Sequence, residues 1–389
     1  MILHFLKDEK VSDQVIENFN SVYNHNLFII FTEEEEKINY TKSRGENIKF
    51  YWSKASNLDE FLLDIHYKAL IFHSLNPEFV QAFKFLAGDF KIVWFEWGYD
   101  LYNLPQIKPG LLGEESLKYL KGTKPFIELE WLTKKHPLLR KLYYKFIERK
   151  EDPYASLFKI LSQTSYFASY MLEEYQLFIR KTGSDMDFLH CEISSLEQYL
   201  AGDKEAVINN DASNVLVGNS NSIESNHLDV IKFLSNQNHV FGDSELHLIL
   251  SYGKDENYKG KVISELKRNF GDKGVAIQEF MGRDEYINYL KKFSVAIFYH
   301  FRQQAMGNII ALLVMGVRIY MSSKNPAYQY FKRNGVNIYA LQEDFSRYGI
   351  SKLSKQQVDE NRQIIKPLFS KDRVIKNTNN LVKVLIGDD

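Results

Sequence analysis

The chain has 389 residues, with 49 Lys and Arg against 50 Asp and Glu, a formal net charge of −1 and a hydrophobic content of 44%. At roughly 100–200 residues per domain this length predicts two domains, and the near-neutral charge argues against a dedicated nucleic-acid-binding protein. The single cysteine, Cys191, excludes a disulfide framework within the chain and a zinc site built on several thiolates.

The first third of the chain alternates short apolar runs with helical patterns, and after about residue 110 the pattern becomes almost continuously helical up to about residue 180. Strands separated by helices predict βαβ units and a parallel sheet. The predicted strands are Ile2–Leu6, Leu27–Thr32, Ala69–His73 and Lys91–Phe95, and the predicted helices are Val11–Tyr23 and Pro77–Phe85.

The alternation returns after residue 214, and the polar stretch 202–213 before it is typical of a linker. We therefore predict an α/β protein of two Rossmann-like, doubly wound domains that face a cleft, with a helical insertion in the first. The N-terminal domain is predicted over 1–205, with a helical segment at about 110–160, and the C-terminal domain over 212–389. The C-terminal strands are predicted at Val215–Val217, Leu246–Ser251, Val275–Phe280, Val295–His300, Arg318–Ser322 and Val336–Leu341.

Ligands of an open parallel sheet sit outside the carboxyl ends of its strands, so the residues that follow each strand are the candidates. Arg302, Gln303 and Gln304, with Gly307 and Asn308 at the start of an apolar helix, combine the donors that bind a diphosphate. The alternative is a surface turn whose arginine pairs with a nearby acid.

Two further loops and one strand end of the same domain supply candidates. Gly218, Asn219 and Ser220 are small or amide residues that expose backbone N–H groups, although a plain capped turn explains them as well. Weaker candidates are the Tyr252–Gly253 pair, which would allow close approach of a ligand, and Glu279, which could accept a hydrogen bond from a sugar hydroxyl.

In the first domain, a strand ends in a cluster of aromatic and acidic residues that suits the wall of a sugar-binding cleft. The cluster contains Glu96, Trp97, Asp100 and Tyr102. Asp100 is the first candidate for the base that activates an acceptor hydroxyl, with Asp8 and His73 behind it. The alternative readings are core aromatics, a capped turn and a structural histidine.

The segment Lys118–Lys150 holds eight Lys and two Arg against three Glu and is rich in aromatic residues. A basic, aromatic helix suits the surface of an anionic membrane, and the alternative is a solvated helix packed on the first domain. The residues predicted to face the membrane are Trp131, Lys134, Lys135, Arg140, Lys141 and Lys145.

Other chemistries find no support in the sequence. There is no phosphate-binding loop of the GxxxxGK[ST] type and no GxSxG elbow, and Asp185-Met186-Asp187 is typical of a solvated turn rather than a metal site. We therefore predict no metal site and no cofactor. The N-terminus lacks a secretory signal pattern, and the longest apolar run, Ile309–Val317, is far shorter than the ~20 residues that cross a bilayer, so we expect a cytoplasmic, soluble or peripheral protein.

Several of these elements, in the same order, resemble the TDP-N-acetylfucosamine:lipid II N-acetylfucosaminyltransferases, glycosyltransferase family 56. The similar elements are Trp97-Gly98 with Asp100-Leu101-Tyr102, Val217-Gly218-Asn219-Ser220 with Ser225-Asn226, and Arg302-Gln303-Gln304 with Gly307. His4, Phe72-His73, Asn76-Pro77, Glu279 and Asn325-Pro326 are also similar. The resemblance covers most of both predicted domains and fades between about Pro105 and Leu161 and around Thr182–Asn210.

The resemblance implies a GT-B glycosyltransferase that binds its nucleotide in the second domain without an essential metal. It implies a TDP-linked 4-acetamido-4,6-dideoxy sugar as donor and a polyprenyl-diphosphate-linked glycan as acceptor, on the cytoplasmic face of the inner membrane during assembly of enterobacterial common antigen. The implied partners are the donor, the lipid-linked acceptor and an anionic membrane, with no nucleic acid. The alternatives are a non-catalytic nucleotide-sugar or glycan-binding module and a nucleotide-sugar epimerase on the same architecture.

Overall fold

The computed structural model describes residues 1–32, 37–52, 66–83, 86, 88–200 and 207–387. Its contacts divide the chain into two compact units: the first contains Met1–Ile107, Glu130–Ser195 and Lys371–Asp389, and the second contains Lys108–Leu129 and Leu196–Ser370. The predicted limits of 1–205 and 212–389 differ from this division, because 108–129 packs with the second unit and the C-terminal helix packs with the first. Residues 202–206 of the predicted linker lie outside the described residues.

The first unit is built on a seven-stranded parallel sheet in the order β3-β2-β1-β4-β5-β6-β7. Its central strands are buried runs such as Asn26–Thr32 and Ala69–His73, as expected of a parallel sheet covered on both faces. The strands are β1 (Ile2–Lys7), β2 (Asn26–Thr32), β3 (Ile48–Trp52), β4 (Ala69–His73), β5 (Lys91–Phe95), β6 (Tyr166–Ser169) and β7 (Asp187–His190).

Helices of the first unit cover this sheet, and the last helix of the chain packs beside the first. Leu381, Val382 and Leu385 of that last helix share one core with Val15 and Phe19. The helices are α1 (Ser12–Val22), α2 (Pro77–Phe83), α3 (Tyr99–Tyr102), α6 (Pro137–Tyr143), α7 (Pro153–Leu161), α8 (Leu172–Thr182) and α17 (Lys371–Ile386), with a π-helical turn at Tyr144–Glu148. Helix α5 (Ile127–Lys135) contains the division between the two units.

The second unit is built on a six-stranded parallel sheet in the order β10-β9-β8-β11-β12-β13. The strand order reverses between β8 and β11, which is the point where ligands bind in doubly wound sheets. The strands are β8 (Asn214–Val217), β9 (Leu246–Ile249), β10 (Gly274–Ile277), β11 (Phe293–Phe298), β12 (Arg318–Met321) and β13 (Tyr339–Ala340).

The helices of this unit alternate with its strands, as the sequence pattern predicts. The most apolar of them begins at Met306 and has eight buried residues among its ten. They are α4 (Glu114–Thr123), α9 (Leu196–Tyr199), α10 (His227–Ser235), α11 (Glu256–Phe270), α12 (Arg283–Leu290), α13 (Met306–Met315), α14 (Pro326–Arg333), α15 (Leu341–Tyr348) and α16 (Lys355–Leu368). None of the helices in the described part of the chain combines the length and the apolar character needed to cross a bilayer.

Two side chains of the second unit explain why residues 108–129 belong to it. Asn226 accepts a hydrogen bond from the Gly113 backbone N–H at 2.8 Å and donates to the Leu111 carbonyl at 3.2 Å. Asp229 accepts from the Glu115 and Ser116 N–H groups at 2.9 and 3.0 Å and so caps the N-terminus of α4. A carboxylate at a helix N-terminus satisfies donors that the helix itself leaves free.

Replacement of Asp229 by alanine is expected to loosen α4. Loss of an N-terminal cap costs about 1 kcal/mol, so amide hydrogen exchange at Glu115 and Ser116 should accelerate roughly fivefold. Hydrogen exchange followed by mass spectrometry measures this directly. The Asp243→Ala variant, at an exposed position, should leave exchange in α4 unchanged. Equal exchange in wild type and Asp229→Ala would contradict the capping role.

Candidate functional site

In the second unit, the loops that follow β8 and β11 are joined by one side chain. The Gln304 carboxamide nitrogen donates to Asn219 Oδ1 at 2.9 Å and to Ser220 Oγ at 3.1 Å. These loops follow adjacent strands at the reversal of strand order, where a ligand site is expected. The structure therefore brings together Asn219, Ser220 and Gln304, which the sequence predicted as parts of one site.

Two glycines allow the backbone of these loops to pass close to neighbouring groups. Gly218 has φ +65°, and a Cβ there would lie 2.5 Å from Nε2 of His227. Gly253 has φ +130°, and a Cβ there would lie 2.4 Å from the carbonyl oxygen of Asn221. Only glycine meets both the positive φ and the close approach, so both positions are fixed by geometry. Asn221 belongs to the loop after β8, so Gly253 lies directly against that loop.

Arg302 forms an ion pair within the same loop cluster. Its Nε lies 2.8 Å from Glu224 Oε2, although the N–H does not point at that oxygen. The alternative reading of an arginine paired with a nearby acid is therefore correct for this contact. Asn325 holds the loop in place by donating to the carbonyl oxygens of His300 and Arg302 at 3.1 and 2.8 Å.

Several buried polar atoms beside Arg302 have no hydrogen-bond partner among the described residues. They are both ring nitrogens of His300, Nε2 of His227 and the carboxamide oxygen of Gln304. Burial lowers the pKa of His227 to about 3, and burial together with the charge of Arg302 lowers the pKa of His300 well below its ordinary value. Both rings are therefore neutral near pH 7 and offer hydrogen-bonding atoms without adding charge.

Helix α13 begins beside this cluster. Ala305 precedes it with φ +61°, and no side chain caps the first turn of the helix. The free N–H groups and the helix dipole of such a turn favour an anion. Gly307 meets the ring of Tyr199, since a Cβ there would lie 3.2 Å from Tyr199 Cδ1, and Asn308 donates to the Tyr286 hydroxyl at 3.0 Å. The side chain of Asn308 is thus engaged in packing α13 against α12.

The remaining candidates of this unit are partly exposed. Gln303 is half-buried in the loop before α13. Tyr252 is 68% exposed, while its carbonyl oxygen accepts a hydrogen bond from the Asn221 N–H. Glu279 is exposed two residues after β10, and the structure gives it no contact with the Gln304 cluster. Its role in donor binding stays a prediction.

In the first unit, Asp100 is buried and its carboxylate is occupied. It accepts from the Trp94 indole N–H at 2.6 Å, from the Leu75 N–H at 2.8 Å and from the Trp97 N–H at 3.1 Å. Burial raises the pKa of Asp100, and these donors oppose that rise. Because its lone pairs already hold the ends of β4 and β5, this geometry favours a positioning role over the predicted role of base.

The two secondary candidates for the base are engaged as well. Asp8 accepts from backbone N–H groups of Asn39 and Thr41 at 2.5 and 2.7 Å; burial alone would raise its pKa, but these bonds lower it. His73 is fully buried and its Nε2 lies 3.0 Å from Nδ1 of His4. Burial holds the pKa of His73 well below its ordinary value. Asp8 thus fastens a loop, and His73 belongs to the interior of the sheet.

A pair of buried carboxyl groups lies near the end of β5. Glu96 and Glu174 hydrogen-bond to each other, and Tyr102 donates to Glu174 Oε1 at 2.9 Å. Burial raises the pKa of Glu174 to about 7, and burial together with the charge of Glu174 raises that of Glu96 well above its ordinary value. Among the described residues, Glu96 Oε1 and the Trp97 indole nitrogen are buried and have no hydrogen-bond partner.

The basic segment divides into structural and exposed cations. Arg140 is buried, pairs with Asp152 at 2.8 Å and lies 4.9 Å from the centre of the Phe158 ring. Lys134 pairs with Glu130 and lies over the Tyr143 ring. Neither is a free surface cation, because aromatic rings and carboxylates already surround them. Lys135, Lys141 and Lys145 are exposed and Trp131 is half-buried, and their contact with a membrane stays a prediction.

The sequence reasoning assigned no role to five residues that shape these clusters. They are Glu174, Glu224, His227, His300 and Asn325. His300 follows β11 at the reversal of strand order, and that position was the available signal. Among the described residues, no group of three or more His, Cys, Asp or Glu is arranged to hold a metal ion, and independence from metal stays a prediction.

Solved structures with the same fold cover essentially the whole chain. A glycosyltransferase from Rickettsia africae ESF-5 matches with a TM-score of 0.58 and 13% identity, over 100% of this chain and 99% of that one. The lipopolysaccharide outer core galactosyltransferase WaaB matches with a TM-score of 0.58 and 13% sequence identity, over 99% of each chain. A structure from E. coli described as trehalose-6-phosphate bound with UDP-2-fluoro glucose matches with a TM-score of 0.61 and 8% sequence identity, over 99% of each chain.

These similarities confirm the predicted fold class, an α/β protein of the GT-B type with two Rossmann-like domains. The model of one protein family, described as 4-alpha-L-fucosyltransferase glycosyl transferase group 56, matches residues 180–383, which is more than half of the chain. The chain belongs to this family and is a glycosyltransferase.

The Glu96–Glu174 pair predicts a specific dependence of stability on pH. Because the folded state raises the pKa of Glu174 from 4.5 to about 7, its stabilisation is present below pH 4.5 and is lost as the pH rises through 7. Each pKa unit corresponds to about 1.4 kcal/mol. The midpoint temperature of thermal unfolding should therefore fall less in the Glu174→Gln variant than in wild type when the pH is raised from about 5.5 to about 8.

Thermal unfolding of the full chain at both pH values measures this difference. Glu46→Gln, at an exposed position of the same unit, should keep the wild-type dependence. The buried histidines contribute equally to the pH dependence of stability in all three proteins, so their effect cancels in the comparison. An identical pH dependence in wild type and Glu174→Gln would contradict the raised pKa of Glu174 in the hydrogen-bonded Glu96–Glu174 pair.

Proposed function

We propose that the chain transfers a 4-acetamido-4,6-dideoxyhexose from a TDP-sugar to a polyprenyl-diphosphate-linked glycan. The reaction would serve assembly of a surface polysaccharide of the enterobacterial common antigen type. Membership of the family supports the donor and the acceptor. The observation that carries the proposal is the set of unpartnered buried polar atoms around Arg302, at the reversal of strand order in the second sheet.

The donor diphosphate is assigned to the cluster of Gln304, Arg302 and the N-terminus of α13. In the transfer, the oxygen of an acceptor hydroxyl bonds to the anomeric carbon of the sugar and gives up its proton to the surroundings. The bond between that carbon and a diphosphate oxygen breaks with its electron pair, and negative charge develops on the departing TDP. The guanidinium of Arg302 and the uncapped N–H groups of α13 are fixed in the structure before that charge appears. Fixed donors of this kind supply a large part of transition-state stabilisation.

Glu224 gives Arg302 a defined orientation, because the ion pair holds its Nε at 2.8 Å from the carboxylate. The neutral rings of His227 and His300 provide N–H donors or acceptors for the phosphates or the sugar without a competing charge. Tyr252, which is largely exposed beside the loop after β8, is assigned to the nucleoside, since an aromatic face can stack on a base.

The acceptor is assigned to the first unit. Glu96 and Trp97 present unpartnered polar atoms at the end of β5, a position where ligands of a parallel sheet bind. Tyr102 donates a hydrogen bond to Glu174, and Asp100 accepts hydrogen bonds from the backbone N–H groups of Leu75 and Trp97. These two residues are assigned positioning roles, and Asp8 and His73 support the same edge of the sheet.

The protein is proposed to act at the cytoplasmic face of the inner membrane, where a lipid-linked acceptor is held. Support comes from large apolar side chains that the basic segment leaves exposed, with Leu142 at 51% and Phe146 at 66%. Lys135, Lys141 and Lys145 are exposed in the same segment and would meet anionic headgroups. An apolar face bordered by lysines is typical of proteins that lie on a membrane.

The Arg302→Ala variant should lose turnover of a TDP-sugar by a factor of about 100 or more, the range seen when one transition-state donor is removed. Release of TDP in the presence of a lipid-linked acceptor measures the rate. Arg347→Ala, at an exposed arginine of the same unit, is the matched control and should keep the wild-type rate. Turnover of Arg302→Ala within twofold of wild type would refute the diphosphate assignment, and conversion of the donor without acceptor would indicate an epimerase.

Replacement of Leu142 and Phe146 by serine should weaken association with anionic vesicles severalfold, because each exposed side chain contributes apolar area. Sedimentation with vesicles of phosphatidylglycerol and phosphatidylethanolamine measures the bound fraction. A double variant at Tyr40 and Val207, which are 47% and 49% exposed elsewhere in the chain, is the control. The same bound fraction in both double variants would reject this membrane surface.

A further inference from the structure

A groove of about 760 Å³ lies in the first unit between α6, the π-helical turn and the start of α7. We call it the basic groove; its walls are residues 137–138, 140–141, 145, 149–152 and 155–156. All of them lie within the part of the first unit that runs from Glu130 to Ser195. The groove is therefore a feature of one compact unit and does not depend on the other.

The cations of the groove differ in their partners. Arg140 is paired with Asp152 at 2.8 Å, and Lys150 is paired with Glu148 at 3.1 Å. Among the described residues, Lys141, Lys145 and Arg149 have no carboxylate partner within ion-pair distance. The only other acid in the walls is Glu151, so the groove keeps a surplus of positive charge. An anion would complete this arrangement.

The same walls are also apolar. Pro137, Leu138 and Ala155 line the groove, and Leu138 is 71% exposed. Leu142, which follows Leu138 by four residues on α6, is exposed beside these walls, and Lys141 and Lys145 are cations of the walls. A ligand that fits these apolar and cationic side chains carries an anionic group and a hydrocarbon part.

The backbone beside the groove is unusual in two respects. Residues Tyr144–Glu148 form a π-helical turn, and Arg149 ends it with φ 53°. Left-handed backbone costs a non-glycine residue about 1 kcal/mol, and π-helical turns are frequent at functional sites. The conformation places Lys145 and Arg149 in the walls of one groove.

We propose that the basic groove binds the phosphate headgroup of one anionic phospholipid of the bilayer, with the acyl chains against the exposed leucines. This inference rests on the proposed membrane association and adds to it a defined lipid site with a stoichiometry of one. Lysine and arginine donate charge-assisted hydrogen bonds to phosphate oxygens. A nucleic acid fits less well, because the apolar wall offers nothing to a sugar-phosphate backbone.

Titration of the full chain with dihexanoyl phosphatidylglycerol, kept below its micellar concentration, tests the site by calorimetry. We expect saturable binding of one lipid, and binding at least tenfold weaker for dihexanoyl phosphatidylcholine, inorganic phosphate and farnesyl diphosphate. Replacing Lys145 and Arg149 by glutamine should weaken phosphatidylglycerol binding about tenfold. The matched double variant at Lys355 and Lys366, which are exposed in α16, should bind as wild type.

A second pair of variants tests the shape of the groove independently of its charge. Ala155→Trp places a large ring in the groove without altering any charge, and should abolish binding of the short-chain lipid, whereas Ala155→Ser should preserve it. Thermal unfolding shows that each variant is folded. Absence of saturable binding, equal binding of inorganic phosphate, preferential binding of farnesyl diphosphate or full binding by Ala155→Trp would each overturn the proposal. Vesicle association that persists alongside any of these results would leave the proposed membrane surface standing and remove only the lipid site.

Discussion

The candidate donor site depends on the hydrogen bonds by which Gln304 joins the loops after β8 and β11. These loops begin at strands whose connections leave in opposite directions, so the fold opens a crevice there. The amide holds the crevice in one shape while leaving its oxygen unpartnered. Gly218 and Gly253 allow the surrounding backbone to close in, and Asn325 fixes the segment that carries Arg302.

Those parts of the fold and site that depend on local pattern were predictable from the sequence. The strands of the second sheet follow the apolar runs, apart from two. The predicted Val275–Phe280 ends at Ile277, and only Tyr339–Ala340 of the predicted Val336–Leu341 forms a strand. The association of Gly218–Ser220 with Gln304 followed from the rule that carboxyl ends of neighbouring parallel strands meet at one edge. Arg302 was found by the same rule, and its partner Glu224 was not.

What sequence could not predict depends on contacts between distant residues. Asp100 follows a strand, as a base in this fold would, but three N–H donors occupy its carboxylate: one from the turn after β4, one from β5 and one from the turn after β5. Arg140 belongs to a cationic helix, yet Asp152 and Phe158 bury it. Residues 108–129 lie between β5 and β6 of the first sheet in the chain, and the side chains of Asn226 and Asp229 attach them to the second unit. No local pattern carries this information, since burial and pairing are decided by the whole fold.

We propose that the second unit binds a TDP-sugar at the Gln304 cluster without a metal ion. Thermal unfolding of the full chain with TDP, UDP, GDP, CMP or NAD, each with and without EDTA, tests it most directly. A ligand at ~100 times its Kd adds about 2.7 kcal/mol, and each kcal/mol raises the midpoint by roughly 2–4 °C. We expect a rise with TDP that exceeds the rise with the other nucleotides and is unchanged by EDTA. No rise with any nucleotide would contradict it.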